Sequence, residues 1–321
     1  MLDFYGDCNL LQEAAISGAL YKRPYDKDQA DEDLWLSAMK ESIACALGVC
    51  IDRVFLKQRQ RQRGDSQYEK ISEARFEKIV SEGGRLANRL SFKVNLSDYL
   101  DTGLFVDRRL LRSLIRAESS GKKVLNLFSY TGSFSVYAAA GGAISTDSVD
   151  LSNTYLSWAL ENFSLNGFSA DILKKNLTTG LHRGMEENEN FIEDIKFSAH
   201  RLIRADVLEY LERAVFEKKK WDIIIADPPA FSNSKKMTGN FDLNRDLTEL
   251  LCQCMKLLAQ NGKIFLSVNL QRSAPDAAVL EAELRAQCLA AANVRVTDLG
   301  SRIMDEDFRG RKMPKAFEVK Y

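Results

Sequence analysis

Apolar positions along this chain change period repeatedly, and each change marks an element. Residues 124–128 form a short, largely apolar run of the kind found inside a parallel sheet. A turn with Ser129, Thr131 and Gly132 follows, then small residues at helical spacing over 133–140, then a second strand ending at Asp150. Ser152 is placed to cap a helix that ends near Asn166-Gly167. Further on, a strand near 201–203 leads to Asp206 and a helix over 207–215, and the apolar run 221–226 ends in Asp227-Pro228-Pro229-Ala230-Phe231. A helix over 246–258 stopped by Asn261-Gly262, a strand over 263–270, a helix over 277–291 and strands at 294–299 and 316–321 complete the series. Strand then helix, repeated, predicts an α/β domain over 101–321. It is a Rossmann-like, doubly wound parallel sheet whose ligand lies beyond the carboxyl ends of its strands.

The first hundred residues follow a different pattern and predict a separate small α/β domain over 1–100. Leu34, Trp35, Ala38, Met39, Ile43, Ala46 and Leu47 recur at helical spacing before Gly48. Strands are expected from Ile51, over 76–80 and over 90–96, the last with Leu90, Phe92, Val94 and Leu96 alternating. Residues 1–19 carry no readable pattern. Lys57, Arg59, Arg61 and Arg63 fall at period two, so an extended segment puts these cations on one face and Gln58, Gln60 and Gln62 on the other. Such a row suits the phosphates of a nucleic acid. A solvated edge strand kept soluble by charge is the other reading. Between the two domains, Asp101-Thr102-Gly103 is a turn signal, and Asp107 is placed to cap a helix whose Leu110, Leu111, Leu114 and Ile115 face the core.

With 321 residues, 45% of them hydrophobic, the chain can bury one large core and a smaller second one. Lys+Arg and Asp+Glu are each 45, so a nucleic-acid partner must be held by local basic patches rather than by a global field. No uncharged apolar run approaches the roughly 18 residues of a membrane span. The first residues, with Asp3 and Asp7, do not read as a signal peptide, and a cytoplasmic address is expected. Six cysteines without a C-x-x-C pair, and only two histidines, predict no metal site and buried thiols in a reducing compartment.

Asp150, Asp206 and Asp227 all stand at carboxyl ends of strands in the larger domain. An acid after the second strand of such a unit accepts hydrogen bonds from both ribose hydroxyls, and Gly132 is expected to let the backbone approach the ligand. Asp206 is placed to accept from an adenine amino group, although each aspartate alone also reads as a helix cap. The turn lacks G-x-G-x-x-G, and no G-x-x-x-x-G-K-[ST] occurs, which argues against NAD and ATP and for a nucleoside without phosphates, S-adenosylmethionine. The prolines after Asp227 rigidify a turn whose oxygens are fixed, and Phe231 offers a face for a stacked base. That arrangement suits methylation of a planar nitrogen heterocycle, with Asp227, Pro228, Pro229 and Phe231 as its catalytic residues.

These residues also match a family. NLFSYTGSFSVYAA from Asn126, SVDLSNTYLSWALEN from Ser148, HRLIRAD from His200, DPPAFSNSKKM from Asp227 and VNLSDYLDTGLFVDRR from Val94 closely resemble the 23S rRNA guanine-N7 methyltransferases of the RlmK type. The resemblance runs from about Leu20 to the C-terminus. It implies an S-adenosylmethionine cofactor, 23S rRNA or its precursor as substrate, and an RNA-facing first domain. It also implies that Phe105 and Asp107 lie against the cofactor, with Asn126, Phe128, Ser129, Thr131, Gly132, Asp150, Leu151, Asp206, Val207 and Asp227. Three departures stand out: Arg108 replaces the more usual His or Gln, a long insert with Glu186-Glu187-Asn188-Glu189 separates Phe168 from His200, and Ser267 to Arg272 only approximates an Asn-rich segment. The insert reads as a surface decoration.

Cytosine-C5 rRNA methyltransferases share the two-domain build and are the alternative. Carbon 5 reacts only after a cysteine thiolate adds to the ring, and neither DPPAF nor SVNLQR contains a cysteine. Cys252 and Cys254 fall in the middle of a predicted helix. Guanine N7 has a free lone pair, so alignment and charge complementarity suffice for its methylation. Methylation of an exocyclic amine, and an RNA-binding module that kept the fold without the chemistry, are the remaining readings.

Overall fold

The computed structural model describes residues 2–5, 14–21, 28–59, 76–83, 88–97, 101–173, 198–232, 241–269, 275–288, 293–310 and 314–321. The chain divides into two compact units, Met1–Val106 and Asp107–Tyr321, a boundary six residues beyond the 100/101 expected from sequence.

In the first unit, strands β1 (Leu2–Tyr5) and β2 (Ala15–Tyr21) pair antiparallel, β2 running two residues past the 1–19 stretch that had no readable pattern. Helix α1 (Gln29–Leu47) follows, and Gly48 ends it in the left-handed region, as its position predicts. The apolar stripe of α1 is narrower than its spacing suggests. Ala44 is buried, while Leu34 is 70% and Leu47 41% exposed, because one three-stranded sheet offers little surface to cover. Strand β3 (Val54–Arg59) lies parallel to β2, and β4 (Glu77–Glu82) pairs antiparallel with β5 (Leu90–Asn95). Leu90, Phe92, Val94 and Leu96 are all buried, as their alternation requires.

The second unit opens with α2 (Arg109–Glu118), then β6 (Lys123–Leu127), α3 (Ser133–Ala140), β7 (Ser145–Asp150), α4 (Asn153–Leu165) and β8 (Ala170–Leu173). After residues outside the described set come β9 (His200–Arg204), α5 (Val207–Phe216) and β10 (Trp221–Ala226), then the short pair β11 (Phe231–Ser232) and β12 (Phe241–Asp242). The unit closes with α6 (Leu243–Lys256), β13 (Leu258–Val268), α7 (Ala277–Gln287), β14 (Arg295–Asp298), α8 (Gly300–Ile303) and β15 (Lys315–Lys320). One eight-stranded sheet has the order β14-β15-β13-β10-β6-β7-β9-β8. It is parallel except at β15, which runs antiparallel to β13 and β14. The order reverses between β6 and β10, so ligands are expected at the carboxyl ends of those two strands.

Both faces of the central strands β6, β10 and β13 are apolar, which is why they read as continuous runs. Val124, Ile223, Ile225 and Phe265 pack with Leu111, Ile115, Phe134 and Ala138 of α2 and α3. Leu125, Leu127, Ile224, Ile264 and Leu266 pack with α5, α6 and α7. Three details differ from the sequence pattern. The expected 168–200 decoration contributes β8 to the sheet edge, beside β9. Helix α6 ends at Lys256, and β13 starts at Leu258, absorbing Asn261-Gly262 in an irregularity where Trp221 pairs Leu258 but Ile223 pairs Lys263. Cys252 and Cys288 are not free thiols but form a disulfide between α6 and the end of α7.

Gly132 is required for two reasons at once. Its φ is +73°, and a Cβ there would lie 2.8 Å from the Cβ of Ala159 on α4. Gly121 has a similar φ of +70° with nothing within 4 Å, and so serves as a control. Gly132→Ala should therefore lose about 2–4 kcal/mol in chemical denaturation, about 1–2 from backbone strain and the rest from overpacking. Gly121→Ala should lose only the first part. Equal losses would remove Ala159 from the explanation.

Candidate active site

The site is built where β6, β7, β9 and β10 end. After Leu127 the backbone enters the left-handed region at Phe128 (φ 55°), Tyr130 (φ 50°) and Gly132 (φ 73°). Such a turn is costly for residues with a Cβ and persists only where its surroundings fix it. Ser129 donates its N–H to the Val149 carbonyl at 3.0 Å, Gly132 donates to the Ser129 carbonyl at 2.8 Å, and Asn162 of α4 donates through Nδ2 to the Thr131 carbonyl at 2.9 Å. Tyr130 sets its ring edge-on against Tyr155, with centroids 4.4 Å apart.

Asp150 ends β7 and is held by this turn. Its Oδ2 accepts from Tyr130 N–H at 2.8 Å and its Oδ1 from Ser152 N–H at 2.9 Å. Desolvation nevertheless dominates and pushes the carboxyl up to about 6, the backbone donors only partly opposing it. Asp206 caps α5 with Oδ1, which accepts from Leu208 N–H at 2.9 Å and Glu209 N–H at 3.2 Å. Between these acids, Arg204 donates through Nε to the Leu151 carbonyl at 3.3 Å.

Several residues expected to touch a cofactor serve the turn from inside. Asn126 is buried, donating Nδ2 to Ser135 Oγ at 2.9 Å, and Ser148 Oγ donates to the same oxygen at 2.7 Å. Thr131 has no exposed surface, Val207 is buried, and a Cβ on Gly132 would meet Ala159. Phe128 and Leu151 keep partial exposure. Phe128 packs its ring 5.6 Å from that of Phe241. Ser129 Oγ is buried and has no hydrogen-bond partner among the described residues.

Asp227 follows β10 directly. Because Leu127 pairs with Ala226, it leaves the sheet beside Phe128. Both of its oxygens are held by Arg108, Nε to Oδ2 and Nη2 to Oδ1, each at 3.1 Å. Arg108 Nη1 donates to Asp107 Oδ2 at 2.6 Å. Asp107 therefore does not cap α2, whose N-cap is Arg108 without a side-chain cap bond. Burial, the largest influence on Arg108, works against its charge, yet Asp227 and Asp107 outweigh it and hold the guanidinium above the usual arginine range. Pro228 is buried and Pro229 half-buried, and Phe231 pairs through its backbone with Asp242.

Lys57, the first cation of the expected basic row, is not solvent-facing. Lys57 is 4% exposed, and its Nζ donates to the Asn95 carbonyl at 3.4 Å, all within the first unit. Phe55, on the same side of β3, packs its ring 4.6 Å from that of Phe76, so this side is an interior one and the lysine stem is buried with it. Arg59 ends β3, while Arg61 and Arg63 lie outside the described residues. Phe105 belongs to the first unit and is 40% exposed. Among the described residues no helix is long and apolar enough to cross a membrane, and no cluster of metal-ligating side chains occurs.

A sheet whose order reverses beside a carboxylate-anchored turn, with an Asp-Pro-Pro turn on the neighbouring strand, is the arrangement of nucleoside-dependent methyltransferases. The comparisons with known proteins agree. A family model described as S-adenosylmethionine-dependent methyltransferase matches residues 5–180. The ribosomal RNA large subunit methyltransferase K of Neisseria meningitidis serogroup B is 38% identical over 319 residues, covering 99% of this chain and 76% of that protein. The K/L protein of Shewanella sp. strain MR-4 is 39% identical over 87% of this chain, which spans only 34% of that longer relative. The crystal structure of the methyltransferase SMU.776 complexed with SAH superposes with a TM-score of 0.63 at 24% identity, covering 100% of this chain and 71% of that one. The chain belongs to the S-adenosylmethionine-dependent methyltransferases, and within them to the group of the large subunit methyltransferases K and K/L. The described residues fit that cofactor: Asp150 is a fixed acceptor for a diol, and the buried Ser129 Oγ still lacks a partner.

Sequence reasoning missed Tyr130, Ser152 N–H, Asn162 and Arg204 as parts of the site. Ser152 and Tyr130 sit inside recognisable motifs, but the left-handed backbone of a tyrosine leaves no mark in sequence.

The Asp150 shift gives a pH signature. A diol donating to the carboxylate favours its ionised form, so protonation competes with binding. Cofactor affinity measured by calorimetry should be level above about pH 6 and fall as pH drops below it, by about tenfold per unit. Between about pH 4 and 6 the native state binds more protons here than the unfolded chain, so stability should fall as pH rises through that window. Asp150→Asn should bind at least about tenfold more weakly and lose both dependences. Unchanged affinity in that variant would overturn the assigned pocket.

Proposed function

We propose that this enzyme methylates N7 of a guanine in the 23S rRNA of the large ribosomal subunit, in the cytoplasm. The observation that carries the reading is the chemistry the site lacks among its described residues. Cys254 is fully buried, which pushes its thiol up to about 12, and Cys252 is bonded to Cys288, so neither supports attack by a thiolate. His200 begins β9, at the opposite end of the sheet from Asp150 and Asp227, and its burial favours the neutral ring. Described residues that bring neither thiolate nor imidazole to these strand ends suit an acceptor that needs no activation, and N7 already carries its lone pair.

When bound, S-adenosylmethionine supplies an electrophilic methyl group. Asp150 and the turn of Phe128 and Ser129 would hold the nucleoside, with Leu151 and Asp206 flanking its base and Asp107 closing the pocket. The Asp227-Pro228-Pro229 turn would orient a guanine extruded from its stack, on which Phe231 would lie. Arg59, Arg61 and Arg63 of the first unit remain candidates for backbone phosphates, without Lys57. The names of the K and K/L relatives support a ribosomal RNA substrate.

The test is to incubate the protein with unmodified large-subunit rRNA and labelled cofactor, digest the RNA and identify the methylated nucleoside by mass spectrometry. N7-methylguanosine is expected. C5-methylcytidine or an amine-methylated nucleoside would replace the acceptor assignment, and cofactor binding without any product would favour an RNA-binding module.

A further inference from the structure

Arg108 stands at the head of α2 with only 8% of its side chain exposed, and Asp227, its partner across the sheet end, has 15%. The pairing is side-on: Nε and Nη2 each donate at 3.1 Å, one to each carboxylate oxygen. Two parallel bonds of this kind fix the carboxylate in the plane of the guanidinium and remove its rotation. Asp107 holds the guanidinium from a third nitrogen, Nη1, at 2.6 Å. The three groups together carry one negative charge, so an arginine beside a site for a cationic donor adds no net repulsion.

From this geometry we infer that Arg108 is a positioning residue for the acceptor base. By holding both oxygens of Asp227 from one side it commits that carboxylate to an internal partner, and leaves the main-chain carbonyls of the Asp-Pro-Pro turn as the fixed acceptors for the base. The inference rests on the methyl-transfer reading above and alters one part of it, the part played by the aspartate. The prolines make it mechanically effective. Their fixed φ leaves the chain after Asp227 few alternatives, so locking the aspartate locks the carbonyls that follow. An arginine suits this task where a lysine does not, because a single ammonium cannot hold two oxygens in plane.

The test compares wild type, Arg108→Met, Arg108→Lys, Asp227→Asn and the double variant Arg108→Met/Asp227→Asn on the same rRNA. Arg108→Met should lower kcat by about 100-fold, the usual consequence of a misplaced reacting group, with calorimetric cofactor affinity within about threefold of wild type. Arg108→Lys should recover part of the loss, and it carries the test if the methionine variant does not fold. The double variant should be no slower than the worse single one, because both changes release the same turn. Wild-type kcat in Arg108→Met or Arg108→Lys, with Asp227→Asn impaired, would overturn the role and return base recognition to the Asp227 side chain. A wild-type protein that binds cofactor but methylates no rRNA would overturn the functional reading, and this role with it.

Discussion

The site depends on a backbone that would not hold its shape alone. Two aromatic residues, Phe128 and Tyr130, occupy the left-handed region within one short turn, at a cost of about 1–2 kcal/mol each. What offsets this is a set of bonds from elsewhere: Asn162 reaching from α4 to the Thr131 carbonyl, and Asp150 reaching from β7 to Tyr130 N–H. A bond to a charged group is worth about 1.5–3 kcal/mol and a neutral one about 0.5–1.5, which is the size required. The carboxylate that would receive the cofactor is thus also the strut of the turn beside it. Binding surface and support cannot be altered separately here.

Charge at the two halves of the site is handled in different ways. Asp150 is desolvated with only backbone dipoles around it, and its proton affinity rises accordingly. Asp227 instead has a full counter-charge in bidentate contact, itself balanced by Asp107. One acid thereby keeps a proton to higher pH than a free carboxyl. The other is committed to an internal partner.

Much of the larger unit was legible in the sequence because its burial is one-dimensional. Strands β6 and β10 are apolar on both faces, α3 begins and ends where residues 133–140 predict, and Ser152 and Asp206 cap helices with their own side chains. What stayed hidden depends on neighbours that no local pattern names. Lys57 keeps the period of a solvent-facing row, yet its stem is buried because Asn95 and Phe76 lie on that side of β3. Strand β8 is four residues of mixed polarity that register only through pairing with β9. The packing demand on Gly132 was hidden in the same way, since the atom that a side chain there would meet belongs to Ala159 on α4.

The clasp between Arg108 and Asp227 spans 119 residues of sequence. During synthesis the turn after β6, with its strut at Asp150 and its brace at Asn162, emerges long before β10. The turn around Asp150 can therefore assemble from a local segment, whereas the Asp227 turn waits for a strand that inserts beside β6 from far downstream. Long-range parallel pairing is slow to form, and until it does Arg108 lacks its downstream counter-ion. The two acids at these strand ends are thus fixed by contacts of very different range, Asp150 by a turn 20 residues away and Asp227 by an arginine 119 residues away.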